Sequence, residues 1–151
     1  MIRLLSLLVL LTAASVARGA ELSGGAILKV MPLFLDAKGR SSLSPSLFER
    51  DAYQESLRKN PSQRSTLSFD VQWRAATANP VTIRLELRSS RNDFDRPVLL
   101  EAQGKPSRWF STWTQFRIPE ADFKKLGEVT AWRATLWSGD LQLGELHSFL
   151  W

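Results

Sequence analysis

Ser56 and Lys59 stand three residues apart in SLRK, the S-x-x-K spacing of a serine acylating centre. The S-D-N and K-T-G motifs that complete such a centre are absent, and the chain is too short for the domain that carries them. The pair therefore reads as two side chains on a solvated helix. His147 is the only histidine and lies between Glu145 and Phe149. A hydrolytic triad needs a nucleophile held by the histidine and a carboxylate that orients it, and no nucleophile-elbow motif is present. A histidine zinc site normally draws on several histidines or cysteines, so His147 is expected to be an ordinary surface residue. Asn92, Asp93 and Asp95 gather oxygen ligands of the calcium-binding type in RNDFDRP. Arg91 and Arg96 flank them, oppose a cation and offer ion pairs instead, so a charged hairpin loop is expected. No catalytic, metal or cofactor site is assigned. A small hydrolase of cell-wall polymers is the alternative reading; it would need a carboxylate pair in a cleft, from Asp93 with Asp95 or Glu120 with Asp122.

The residues that point to binding are aromatic. Of the six tryptophans, Trp73 and Trp132 fall in alternating apolar runs and are expected in the core. Trp109, Phe110 and Trp113 in SRWFSTW are harder to bury together, because sequence neighbours in a strand point to opposite faces. With Lys105 and Arg108 beside them they form a candidate aromatic platform for stacking on sugar rings or gripping a peptide. The competing expectation packs these rings against a helix or the second sheet.

Period-two alternation supplies the frame. Leu67, Phe69, Val71 and Trp73 alternate with Ser68, Asp70, Gln72 and Arg74. Val81, Ile83, Leu85 and Leu87 do the same against Thr82, Arg84, Glu86 and Arg88. The turn-rich AATANP between these runs predicts an antiparallel pair with one buried face, its outward row carrying Arg74, Arg84 and Arg88 among Asp70 and Glu86. Ile27–Asp36 is apolar on both faces and interrupted by Pro32, so it is expected at a sheet edge or changing sheets. PVLLE at 97–101, TWTQFRI at 112–118, VTAWRATLW at 129–137 and LQLGELHSFL at 141–150 complete seven strands, the last two joined by a loop at Ser138-Gly139-Asp140. Ser46 and Glu49 form a capping box that opens a helix at 46–60, stopped by Pro61, with Phe48, Ala52, Tyr53 and Leu57 as its apolar stripe. A short helical turn is expected at 120–126, ended by Gly127.

Composition sets the compartment and the class. Arg3 precedes the apolar run Leu4–Leu11, and small residues follow, which is the pattern of an export signal too short to span a bilayer. Cleavage after Gly19 places Ala17 at −3, and cleavage after Ala17 is the alternative. Residues 1–19 are thus expected as signal peptide and 20–151 as one β-sandwich domain, periplasmic or secreted. Without cysteine there is neither a disulfide nor a lipobox, so packing alone must hold the domain and a lipoprotein is excluded. Of the 20 basic residues Arg3 and Arg18 leave with the signal, so 18 face 15 acidic ones, a mild +3. No nucleic-acid motif and no second apolar span is present. Trp151 with Phe149 matches the aromatic last strand of an outer-membrane barrel, but Glu145 and His147 would continue its lipid face and the helix at 46–60 has no place in so small a barrel, so a last sandwich strand is the expectation.

The last forty residues resemble the final strands of immunoglobulin- or fibronectin-III-like domains. The segments TQFRI, EADFKKLG, EVTAWRATLW, SGD and LQLGELHSFLW carry it, with Leu126, Gly127 and Trp132 standing where those families place a leucine, a glycine and a strand aromatic. The family tyrosine and the cysteine pair are absent. The resemblance implies a mainly β, seven-stranded antiparallel two-sheet sandwich, and no chemistry. The resulting expectation is a non-catalytic binding module of the cell envelope, with an envelope protein or polysaccharide as partner. Replacing Leu7 and Leu8 by Arg is expected to break the apolar core of the leader. Fractionation should then find full-length precursor in the cytoplasm; mature-length protein outside the inner membrane would refute the export reading.

Overall fold

The computed structural model describes residues 24–91 and 96–151. The expected signal peptide at 1–19 and the expected charged loop with Asn92, Asp93 and Asp95 lie outside these residues. Seven strands, β1 (Gly25–Leu35), β2 (Thr66–Ala75), β3 (Val81–Ser89), β4 (Val98–Gly104), β5 (Thr112–Pro119), β6 (Val129–Ser138) and β7 (Leu141–His147), are joined by two helices, α1 (Leu47–Lys59) and α2 (Glu120–Leu126). They form two antiparallel sheets, of order β1-β2-β5 and β4-β3-β6-β7, stacked as a sandwich. No helix among the described residues is long and apolar enough to cross a membrane.

The strands at 66–75 and 81–89 are where expected, but they do not pair. β2 lies between β1 and β5, and β3 lies between β4 and β6. Each presents a row of four large apolar side chains on one face. Side by side, both rows would still need another layer to cover them; face to face, they cover each other. AATANP also lacks the glycine-bearing two-residue turn that would favour a tight hairpin, so it arches from one sheet to the other. Asp70 and Arg74 therefore sit on the outside of one sheet and Arg84, Glu86 and Arg88 on the outside of the other.

Trp73 is the largest fully buried side chain. Its Nε1–H donates to Thr114 Oγ1 on β5 at 2.9 Å, so the indole's one polar atom is satisfied inside the core. The ring crosses to the opposite sheet and lies on the backbone of Gly104 in β4. A Cβ at Gly104 would stand 2.4 Å from Trp73 Cζ2 and 2.8 Å from Ile83 Cδ1. Around this contact Phe69, Val71, Ile83, Leu85, Leu87 and Leu136 are almost wholly excluded from solvent.

The exposed edge of β1 is covered by α1. Ser46 caps the helix by accepting from the Glu49 amide, one half of the predicted capping box, while the Ser46 amide donates to Ser44 Oγ in place of Glu49, and Glu55 pairs with Lys59 at 3.4 Å. Its buried face, however, is Gln54 and Leu57 with half-buried Tyr53, whereas Phe48 is 83% exposed and Ala52 is exposed as well. The helix is rotated from its expected apolar stripe because Gln54 completes the strand edge. Its carboxamide accepts from Phe34 N–H at 2.8 Å and donates to Phe34 C=O at 2.9 Å and Ser41 C=O at 2.8 Å. Asp36 locks the connecting loop, accepting from the Arg40 and Lys38 amides at 2.9 and 2.8 Å, from the Arg40 guanidinium and from Tyr53 Oη–H at 2.7 Å. The Arg40 amide, then Tyr53 and the Arg40 side chain, hold this carboxyl well below the usual carboxylate range against the opposing effect of burial.

At the other end of β1 a bulge between Ile27 and Lys29 turns Leu28 outward. Here β1 runs against β7, where a Cβ at Gly144 would meet Ala26 Cα at 2.9 Å. The two sheets thus close together beside the start of β1 and stand apart beside its end. α2 spans Glu120–Leu126 and stops at Gly127, φ +80°, as expected. β7 ends at His147, three residues before the predicted boundary.

Trp73→Ala is expected to destabilise by about 3–5 kcal/mol, and Gly104→Ala by about 1–3 kcal/mol through overpacking. In a Trp73→Leu background Gly104→Ala should cost much less, a coupling that denaturant melts of the double-mutant cycle measure. Asp36 supplies a second test. A carboxyl whose folded pKa is depressed stabilises above the unfolded value of about 3.9 and loses that contribution as pH falls through the folded one. The Tm difference between wild type and Asp36→Asn should be constant above roughly pH 5 and shrink below roughly pH 4. A difference indifferent to acid would show that the carboxylate charge does not hold the loop.

Candidate functional site

The segment between β4 and β5 carries the rings singled out by sequence. Trp109 is 78% exposed, Phe110 75% and Trp113 45%, so none of the three is packed in the core. The preceding turn is held by Phe110 N–H donating to Ser107 Oγ at 3.3 Å, and the segment is tied to β2 by Gln72 Nε2–H on Ser111 Oγ at 2.8 Å. Trp109 and Phe110 border a surface groove of about 510 Å³ with Leu28, Arg74, Ala76 and Arg108. Among the described residues no acidic side chain lines it. The Arg108 guanidinium stands 5.4 Å from the Trp109 ring centre, close enough for cation–π attraction.

The structure does not bring all five predicted residues together. Arg108, Trp109 and Phe110 share the groove. Trp113 falls beyond it, on β5 opposite Gln72, and Lys105 is exposed just after β4 without lining the groove. In their place the fold supplies Leu28 and Arg74, which strand alternation alone does not single out. Leu28 reaches the groove through the β1 bulge, and Arg74 through the end of β2.

A second and larger cleft, about 740 Å³, opens where the sheets stand apart. Phe34, Leu67, Phe69, Phe123, Val129 and Trp132 form its apolar walls, and Phe34 and Phe123 meet edge to face at 6.4 Å between ring centres. Arg58, Arg64 and Lys124 stand around it with Glu128 as the acidic lining residue. Arg64 caps the end of α1, donating from Nε to Leu57 C=O at 2.5 Å and from a terminal nitrogen to Arg58 C=O. Its guanidinium lies 4.3 Å over the Phe34 ring. Burial first, then the neighbouring Arg58, lowers the pKa of Arg64 from its ordinary value. The cleft has no local signal in the sequence, because its lining comes from both sheets and both helices.

The outer face of the β4-β3-β6-β7 sheet holds arginines and tryptophans already engaged with one another. Arg84 pairs with Glu101 at 2.5 Å and lies 4.7 Å over Trp137. Arg133 binds Glu86 through two bonds of 2.7 and 2.9 Å, and Trp151 sits 4.8 Å from Arg133 and 4.1 Å from Arg88. Ser148 anchors the tail that carries Trp151, by bonds in both directions with the Trp132 backbone.

The motifs with a possible chemistry are placed as follows. Lys59 is ion-paired with Glu55 on the exposed face of α1, and Ser56 stands on the same helix. His147 is exposed, with Nδ1 3.0 Å from Ser148 O. Glu120 is engaged by Lys124 at 2.5 Å. Among the described residues no group of three or more histidines and acids is arranged to hold a metal ion. No protein-family model matches the chain, and comparison with curated proteins and with solved structures finds no match.

Proposed function

We propose that the chain is an exported β-sandwich that works by binding rather than catalysis, with the Trp109–Phe110 groove as its recognition surface. The observation that carries this reading is the exposure of two adjacent large rings in a groove that also holds two guanidiniums and, among the described residues, no carboxylate. Isolated exposed apolar residues are ordinary, but a contiguous aromatic patch with a polar border marks a contact surface. Flat ring faces stack on sugar rings, and Arg74 and Arg108 complement carboxylate or phosphate substituents, so the ligand class that fits best is an anionic polysaccharide of the envelope. Export is supported by Arg3 and the run Leu4–Leu11. We place the domain with fibronectin-III-like rather than immunoglobulin constant-type sandwiches. The support is its fourth strand, which joins β3, whereas the constant-type fourth strand lies in the sheet of the first two.

Trp109→Ala should leave the melting temperature nearly unchanged and weaken binding to an acidic polysaccharide such as alginate by roughly thirtyfold or more, the scale of a central aromatic contact. Arg108→Ala should chiefly flatten the salt dependence of that binding. Tryptophan emission and affinity electrophoresis read both. Equal affinity of wild type and Trp109→Ala for every envelope polysaccharide would refute a sugar site, and unchanged envelope partners in a pull-down would remove the groove as a contact surface.

A further inference from the structure

We infer that the cleft between the sheets is a second site, independent of the groove, and that it takes a single hydrocarbon chain ending in a carboxylate. Its volume, about 740 Å³, lies within the range of small-ligand pockets. Its walls are apolar down to the core, since Phe69 at its floor is only 1% exposed. Phe34 and Phe123 meet edge to face on one side, and Val129 and Trp132 come from the other sheet, so the space is a slot between layers rather than a flat face. Such a slot suits a narrow, flexible apolar chain.

Charge identifies the end of that chain. Among the described residues three cations, Arg58, Arg64 and Lys124, line the cleft against one acid, Glu128. Arg58 and Lys124 are paired on their own helices, at 3.6 Å with Glu55 and at 2.5 Å with Glu120. Those partners are solvent-exposed, and exposed pairs of this kind contribute little and exchange readily. Arg64 is fixed in place by the α1 carbonyls and the Phe34 ring, and those two bonds use only part of a guanidinium's five N–H donors. A fixed guanidinium beside an apolar slot is preorganised for a carboxylate, and an anion between Arg58 and Arg64 would relieve the repulsion between them.

Trp132 in the wall provides the readout. Titration of the purified protein with bromine-labelled octadecanoate, below its micellar concentration, should quench a saturable fraction of the tryptophan emission. That fraction should disappear in Trp132→Phe and persist in Trp109→Ala. Shortening the saturated acid should weaken binding roughly fourfold per methylene removed. Arg58→Glu with Lys124→Glu, both on exposed side chains, should lower affinity for the acid at least tenfold while the melting temperature holds. Unsaturable quenching, equal quenching in Trp132→Phe, or octadecanol binding as tightly as octadecanoate would each overturn the inference. Loss of quenching in Trp109→Ala would overturn it too, assigning the chain to the groove; loss of polysaccharide binding in that variant with octadecanoate binding intact would keep the two sites separate.

Discussion

The sandwich depends on one contact: the Trp73 indole lying on the bare backbone of Gly104. Two sheets about ten ångströms apart must fill the space between them with side chains. Here a single ring from β2 crosses that space and meets the opposite strand where no side chain stands in its way. The indole nitrogen, which would otherwise be stranded, finds Thr114 on the neighbouring strand of its own sheet. Bulk and polarity are thus resolved together, and the flanking Phe69, Val71, Ile83 and Leu85 close around the ring. Everything outside the core inherits its position from the spacing set there.

The uneven separation of the sheets follows from how β1 is held. Near its start, Gly144 lets β1 approach β7 backbone to backbone, and the bulge at Leu28 accommodates the bend. Near its end β1 is held by Gln54 and by the loop that Asp36 knots to Tyr53 and Arg40. The helix therefore does two things: through the Gln54 carboxamide it shields a strand edge from pairing with another chain, and with Leu57 buried beneath it borders the end of the sandwich where Phe34 lines the cleft. A more apolar helix face would pack into that opening instead of bordering it.

The tryptophans and arginines divide by what they already touch. Trp137 is stacked with Arg84 and Trp151 with Arg133, guanidiniums that are themselves engaged by Glu101 and Glu86, so these rings already have partners within the face. Trp109 and Phe110 have Arg108 beside them, no acid in their groove, and most of their ring area in water. Exposed aromatic area is favourable to cover and costs little rotamer entropy to hold. The contrast between the two faces is the physical ground for reading one as scaffold and the other as contact surface.

Alternation places β2 and β3, because period two records directly which side chains face the core, while the other strands are legible as short apolar runs between turn residues. The caps at Ser46 and Gly127 place the helix ends for an equally local reason: they satisfy or release backbone groups within a turn. The exposure of Trp109 and Phe110 is only half legible: neighbouring rings in a strand cannot both point inward, but that both lie in water is decided by the fold. The partners of each strand are not legible. Whether β2 and β3 lie side by side or face to face is decided by which arrangement buries both apolar rows, and that sum runs over the whole chain. The same holds for the face of α1, where one glutamine on a strand edge outweighs the phenylalanine stripe. Leu28 and Arg74 enter the groove, and six apolar walls meet three cations in the cleft, only because the tertiary fold brings together residues from strands and helices far apart in sequence.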